Sequence, residues 1–332
     1  MAGTGEGKQQ HKVDARAARI VLLETEDKRC PPGLQAVPVK TPDGFTLRAA
    51  VARPARARGT VVLLPGRGEY IERHYETIGE LLARRFAVVD FDWRGQGLSQ
   101  RLLKNRLKGH VRSFDDYEVD LEAVMRRLVL PDMPPPYHAL GISMGGHVLL
   151  KASWKHVWFE RAMLVSPFID FAPHPRGTVL RRLARLGGLP GLSRAFFPVM
   201  RRRLPTAADF AGNSITHDRQ RYLREVKFLQ GFPEVGVAAS PTFGWLHAAL
   251  RSVQALQRMV DAGGEPRWPM LALAAAHDAL VDAEALRRMA RVVGNLSATF
   301  LHRSRHDILM ERDVVRDMFW AAFDQFIGHG EY

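Results

Sequence analysis

The chain has 332 residues, 46% apolar and 25% charged, a balance that suits a globular protein of one large domain or two smaller ones. A net charge of +13 permits contact with polyanions, but no helix-turn-helix, zinc-ligand or RNP-like pattern is present, so no nucleic-acid partner is expected. The lone Cys30 excludes an internal disulfide and predicts a reducing, cytoplasmic setting, and no apolar run is long enough to span a bilayer.

Residues 1–20 lack an apolar h-region and read as a disordered tail. The first structured element expected is an antiparallel hairpin, "LQAVPVK-TPDG-FTLRAAVARP", with Asp43-Gly44 in its turn. Short apolar runs then alternate with helical patterns. "TVVLL" (60–64), "AVVDF" (87–91), "YHAL" (137–140), "AMLVS" (162–166), "MLALAA" (270–275) and "ATFLH" (298–302) read as buried strands. "HYETIGELLARR", "SFDDYEVDLEAVMRRLVL", "AEALRRMARVV" and "VVRDMFWAAFDQFI" carry helical spacing, and Ser113 with Asp116 is spaced as a capping box for the second of these. "DWRGQGLSQR" reads as a structural turn built on Gly95 and Gly97. Such alternation predicts an α/β architecture, a mainly parallel central sheet with helices on both faces.

Residues 171–250 break the rhythm with helical runs interrupted by Gly and Pro, and no convincing strand. They predict a helical cap inserted into a core formed by 21–170 and 251–332. Such an insertion leaves the sheet at the strand ends where α/β folds bind ligands.

The chemistry starts at "LGISMGGHV". Gly141-Ile142-Ser143-Met144-Gly145 falls between a strand and a helix, the setting of a G-x-S-x-G nucleophile elbow. A serine hydroxyl needs an imidazole base, and the imidazole needs a carboxylate to fix its tautomer. Asp278 follows the strand "MLALAA", and His306 follows the strand "ATFLH", so Ser143, Asp278 and His306 all lie at strand C-terminal ends in the order expected of the elbow. Asp282 is a rival for the acid and His302 for the base. An oxyanion hole needs two N–H donors: Met144 after the nucleophile, and Arg67 in the "PGRGEY" loop after an early strand.

"LPGRGEYIERHYETIGELLARRFAVVDFDWRGQGLSQRLL", "GHVRSFDDYEVDLEAVM", "LGISMGGHVLL", "GNSITHDRQRYL", "PTFGWLHAAL", "AAAHDALVD" and "RHDILMERD" together resemble the bacterial lysophospholipase and monoacylglycerol lipase branch of the α/β-hydrolases. The resemblance runs from about residue 21 to the C-terminus. It implies an α/β-hydrolase fold with 171–250 as the cap, Ser143 as nucleophile, Asp278 as acid and His306 as base, with Arg67 and Met144 as oxyanion donors. It also implies an ester or lipid monoester substrate and no cofactor or metal. Two positions depart from the family pattern: Pro65 stands where His is frequent, and Ala276-His277-Asp278 stands where Gly-x-Asp is frequent. Amide-cleaving relatives and a noncatalytic binding protein are the alternatives. Finally, residues 171–208 hold no acidic residue but many arginines: Arg176, Arg181, Arg182, Arg185, Arg194, Arg201, Arg202 and Arg203. Leu180, Leu183, Leu186, Phe196, Phe197, Val199 and Met200 are interleaved with them, so peripheral contact with an anionic membrane is a further expectation.

Overall fold

A computed structural model describes residues 16–173, 177–189, 191–198 and 202–328. Residues 1–15 of the expected tail, together with Arg176, Val199, Met200, Arg201 and the Leu180 side chain, lie outside the described residues. The described part of that tail is tied down: Arg101 N–H donates to Arg16 O at 2.8 Å, and Arg19 N–H to Leu98 O at 2.9 Å.

Eight strands form one sheet: β1 (Gln35–Lys40), β2 (Thr46–Ala52), β3 (Thr60–Leu64), β4 (Ala87–Phe91), β5 (Tyr137–Ile142), β6 (Arg161–Val165), β7 (Met270–Ala275) and β8 (Leu296–Leu301). Their order is β1-β2-β4-β3-β5-β6-β7-β8. Only the β1/β2 and β2/β4 pairs are antiparallel. The β1–β2 hairpin turns at Asp43-Gly44, where Gly44 has φ +88°. Every apolar run read as a strand is one.

The strands are legible because the sheet is covered twice. Val62 and Leu64 of β3 face one cluster with α2 (Asp115–Val124), α4 (Met144–Ala152), α7 (Phe243–Asp261) and α8 (Ala283–Val292), through Leu121, Val148, Trp245 and Leu286. Val61 and Leu63 face the other, with α1 (Tyr75–Ala83) and α9 (Asp313–Ile327), through Ile78, Leu81, Phe319 and Phe323. Side chains alternate across a strand, so burial on both faces makes the whole run apolar.

The capping box did not form. α2 begins at Asp115, and Ser113 Oγ binds the Asp115 carboxylate (3.0 Å) and N–H (3.2 Å) rather than the third helical residue. Beyond Val124 the helix widens into a π-helical turn, Met125–Val129, and ends in α3 (Leu130–Asp132) before Pro134.

Between β6 and β7 the chain forms α5 (Gly177–Arg185), α6 (Arg219–Gly231) and α7. Residue 250, the expected end of the insertion, falls inside α7. The strand order positions the site. From β3 the chain passes to β4 on one side, then returns to β5 on the other, so the loops after β3 and β5 diverge from neighbouring strands. Leu64 is in register with Gly141, which sets the "PGRGEY" loop beside the Ser143 turn at the C-terminal edge.

Candidate active site

Ser143 caps α4 with φ +48° and ψ −109°, a backbone conformation that an L side chain rarely adopts. Such a conformation costs on the order of 1–3 kcal/mol and persists only where its surroundings hold it. Here they do. The Ser143 N–H donates to Val165 O at 2.8 Å, and its carbonyl accepts N–H bonds from His147 (3.1 Å) and Phe168 (2.9 Å). The flanking glycines are compelled by close approach. A Cβ on Gly145 would lie 2.0 Å from Leu64 O, and one on Gly141 would lie 2.8 Å from Gly146 Cα.

The loops after β7 and β8, neighbours in register at Ala275 and Leu301, deliver the other two side chains. Asp278 Oδ2 lies 2.7 Å from His306 Nδ1, and His306 Nε2 lies 2.9 Å from Ser143 Oγ. A carboxylate only accepts, so Nδ1 carries the proton, Nε2 is the acceptor and Ser143 Oγ–H donates to it. Asp278 Oδ1 accepts from the N–H groups of Leu280 (2.8 Å) and Val281 (3.2 Å), which fix the carboxylate's orientation although Ala276 replaces the flexible glycine. Burial works against charge on His306. The hydrogen bond and charge of Asp278, with Asp307 and Glu69 behind, outweigh it and hold the imidazole above its ordinary 6.5.

The rivals have other occupations. Asp282 is the N-cap of α8, accepting from the N–H groups of Glu284 (2.9 Å) and Ala285 (3.1 Å). His302 is exposed, and its ring lies beside His277.

The loop after β3 is organised to leave one donor over. Gly66 N–H donates to the Glu69 carboxylate, and Gly68 N–H donates to Gln96 Oε1 at 2.5 Å. The Arg67 N–H between them has no acceptor among the described residues. Met144 is the first residue of α4, so its N–H is one of the helix's four orphan donors.

Two supports of this loop and one of the His306 loop had no role assigned from the sequence. Gln96 sits in the turn made by Gly95 (φ +77°) and Gly97 (φ +50°), and its amide nitrogen reaches Tyr117 Oη (3.3 Å) and Met144 Sδ (3.8 Å). It therefore touches both the loop after β3 and the first residue of α4. Glu69 is held by His74 Nε2 (3.3 Å), whose Nδ1 lies 2.8 Å from Asp90. Burial resists charge on His74, but Asp90 and Glu69 prevail and push its pKa up to about 10, so His74 is a buried cation under the loop. The third support is the 213–217 segment of the insertion. Ser214 O accepts the His306 N–H (3.2 Å), Ile215 O the Asp307 N–H (3.0 Å), and Thr216 Oγ1 donates to Met310 O (2.6 Å).

The family model described as "Serine aminopeptidase, S33" (Hydrolase_4) matches residues 55–313, most of the chain. The chain belongs to this family. It is 28% identical over 292 residues to lysophospholipase L2 of Escherichia coli (strain K12), covering 86% of this chain and 84% of that protein. In structure it resembles a soluble variant of monoglyceride lipase from Saccharomyces cerevisiae, with a TM-score of 0.67, 19% identity, and coverage of 92% of this chain and 98% of that one. It also resembles Paleococcus ferrophilus monoacylglycerol lipase, with a TM-score of 0.66, 17% identity and coverage of 86% and 99%. The fold is that of the α/β-hydrolases.

Proposed function

We propose that this protein is a serine hydrolase that cleaves lipid monoesters, lysophospholipids or monoacylglycerols, through an acyl-enzyme. The observation that carries this reading is the continuous chain Ser143 Oγ–His306–Asp278, at 2.9 and 2.7 Å, on a strained strand-to-helix turn. His306 Nε2 takes the Ser143 proton as Oγ attacks the ester carbonyl. The Arg67 and Met144 N–H groups receive the developing oxyanion. The imidazolium, steadied by Asp278, then protonates the leaving alcohol, and water repeats the sequence to release the fatty acid. No step calls for a metal or cofactor.

The names of the relatives support a lipid monoester as substrate. An aminopeptidase would need carboxylates open to a substrate ammonium, whereas the acids nearest the site are engaged: Glu69 with His74 and Gly66, and Asp307 with Arg73 at 2.7 Å. Turnover of p-nitrophenyl esters of graded length, 1-monooleoylglycerol, a lysophospholipid and an amino-acid arylamide checks this. Long-chain monoesters are expected to be cleaved and the arylamide not; the opposite ranking refutes the ester reading.

The insertion, residues 171–250, we read as a cap over the site, with α5 as its membrane-facing element. Among the described residues no helix is long and apolar enough to cross a membrane, so contact would be peripheral. α5 and the turn after it bury small residues, Ala184 and Gly187, the latter so close to α7 that a Cβ would meet Phe243 O at 2.2 Å. Val179, Leu183, Leu186 and Leu189 instead point to solvent beside the exposed Arg182 and Arg185. An apolar stripe that faced the catalytic pocket would be covered. Sedimentation with anionic vesicles at low salt is expected to carry the protein down, and neutral vesicles or high salt to release it. Absence of binding under all conditions would leave the helix as a lid alone. The lone thiol, Cys30, fits a cytoplasmic setting, with the inner membrane face as the lipid surface.

A further inference from the structure

Most of the buried arginines among the described residues meet carboxylates. Arg48 pairs with Glu72 and Asp92, Arg73 with Asp307, Arg94 with Asp120 and Asp43, and Arg316 with Glu80. Arg101, which has no acid, is surrounded by the carbonyls of Gly95, Gly97, Glu234 and Val235. Arg67 is different. Its guanidinium makes two long bonds, to Ala239 O (3.2 Å) and Ala238 O (3.1 Å), and Nε is buried without a partner. No carboxylate pairs with it among the described residues. One face lies over the Trp245 ring, 5.0 Å from its centroid.

Arg67 is half-buried, with its Nε covered and its fork partly open, so the guanidinium keeps donors free to meet an anion that arrives beside it. Burial lowers the Arg67 pKa to about 10, with Tyr117 opposing, so the group stays a cation at neutral pH. Tyr117 Oη receives N–H bonds from Gln96 (3.3 Å) and Trp245 (3.2 Å), and its own proton has no acceptor among the described residues. A guanidinium fork and a phenol proton thus gather between the oxyanion loop and the insertion, without an anionic partner.

We propose that Arg67, assisted by the Tyr117 hydroxyl, forms a subsite for the phosphate of an anionic lipid monoester. The covalent layout of such a substrate fits. A glycerol unit separates its ester carbonyl from its phosphate, and one arginine side chain separates the Arg67 N–H from its guanidinium. The same residue would hold the reacting oxygen with its backbone and the headgroup with its side chain. Arginine is suited to this because its planar fork donates two parallel bonds to a phosphate. This inference rests on the lipid-monoester reading above, and narrows it from monoesters in general to phosphate-bearing ones.

The test compares kcat/KM for 1-oleoyl-lysophosphatidylglycerol and 1-monooleoylglycerol in wild type, Arg67→Met and Arg67→Lys. Any loss common to both substrates reports on the loop; the ratio reports on the phosphate. Arg67→Met is expected to lower the ratio by about 10- to 100-fold, the loss of a charge-assisted bond, and Arg67→Lys to recover part of it. Inorganic phosphate is expected to leave wild-type hydrolysis of monooleoylglycerol unaffected at concentrations where lysophosphatidylglycerol competes. An unchanged ratio makes the guanidinium a strut to residues 238–239 and overturns the inference alone. Inhibition by inorganic phosphate as strong as by the lipid overturns the headgroup assignment in favour of a free-anion site. A wild-type protein that cleaves neither substrate overturns the hydrolase reading, and this inference with it.

Discussion

Ser143→Ala is expected to lower ester turnover by about 10⁴-fold or more while leaving the fold in place. The side chain lost is small, and its described hydrogen bond is the one to His306, so little packing depends on it. The backbone at φ +48° is held by three main-chain bonds that alanine keeps. What goes is the one hydroxyl among the described residues bonded to His306 Nε2. Circular dichroism and thermal unfolding of the variant should match the wild type. Turnover near the wild-type level would remove Ser143 from the mechanism.

Asp278→Asn is expected to cost about 10⁴-fold in kcat, and Asp282→Asn almost nothing. The geometry gives the reason. Asp278 Oδ1 already takes two N–H donors, from Leu280 and Val281, so the asparagine carbonyl is expected to stay with them. Its NH₂ then faces His306 Nδ1, which must accept instead of donate. The proton moves to Nε2, and Ser143 loses its base. Asp282 acts as a helix cap, and asparagine caps a helix about as well as aspartate.

The same pair predicts a pH signature. The base works only when neutral, and Asp278 holds the His306 pKa above the usual 6.5, so the acid limb of kcat/KM is expected above that value in the wild type. With the carboxylate charge removed, burial becomes the main remaining influence and favours the neutral ring. The limb of the residual activity should therefore move to lower pH. Profiles measured with a p-nitrophenyl ester check the sign; a limb that stays in place or rises contradicts the assigned pairing.

Legibility in the sequence followed the range of the interactions. Strands β3 to β7 were readable because they are buried on both faces, which leaves an apolar run such as Val61–Leu64, whereas β8, an edge strand with Ser297 and Thr299 exposed, was readable only from its later residues. The elbow was readable because its glycines answer to local sterics, and Asp278 and His306 because strand ends are visible even when their partners are not. The Asp282 role was within reach too: an aspartate directly before "AEALRRMARVV" is a helix-start signal. The α2 start was misjudged because Ser113 and Asp115 bind each other two residues apart, a local turn that competes with the capping box.

Other features depend on long-range approach and leave no local pattern. Gln96 supports Gly68 across 28 residues of chain, and its letter in "RGQG" reads as turn filler. The His74 cation exists only because β4 carries Asp90 beneath it and the loop after β3 folds Glu69 over it. The hold of Ser214 and Ile215 on the His306 loop joins the insertion to the last strand connection. The insertion's own helices were visible as amphipathic runs, but the outward turn of Val179, Leu183 and Leu186 follows from Gly187 packing against α7.

The central claim is that Ser143 is a nucleophile activated by His306, and covalent labelling tests it most directly. The wild-type protein, treated with a fluorophosphonate and digested, is expected to carry one adduct on the peptide containing Ser143, formed faster as pH rises through the His306 titration. Ser143→Ala should carry none, and Asp278→Asn should label far more slowly. A wild-type protein that stays unlabelled, or one labelled at another residue with Ser143 intact, would contradict the account.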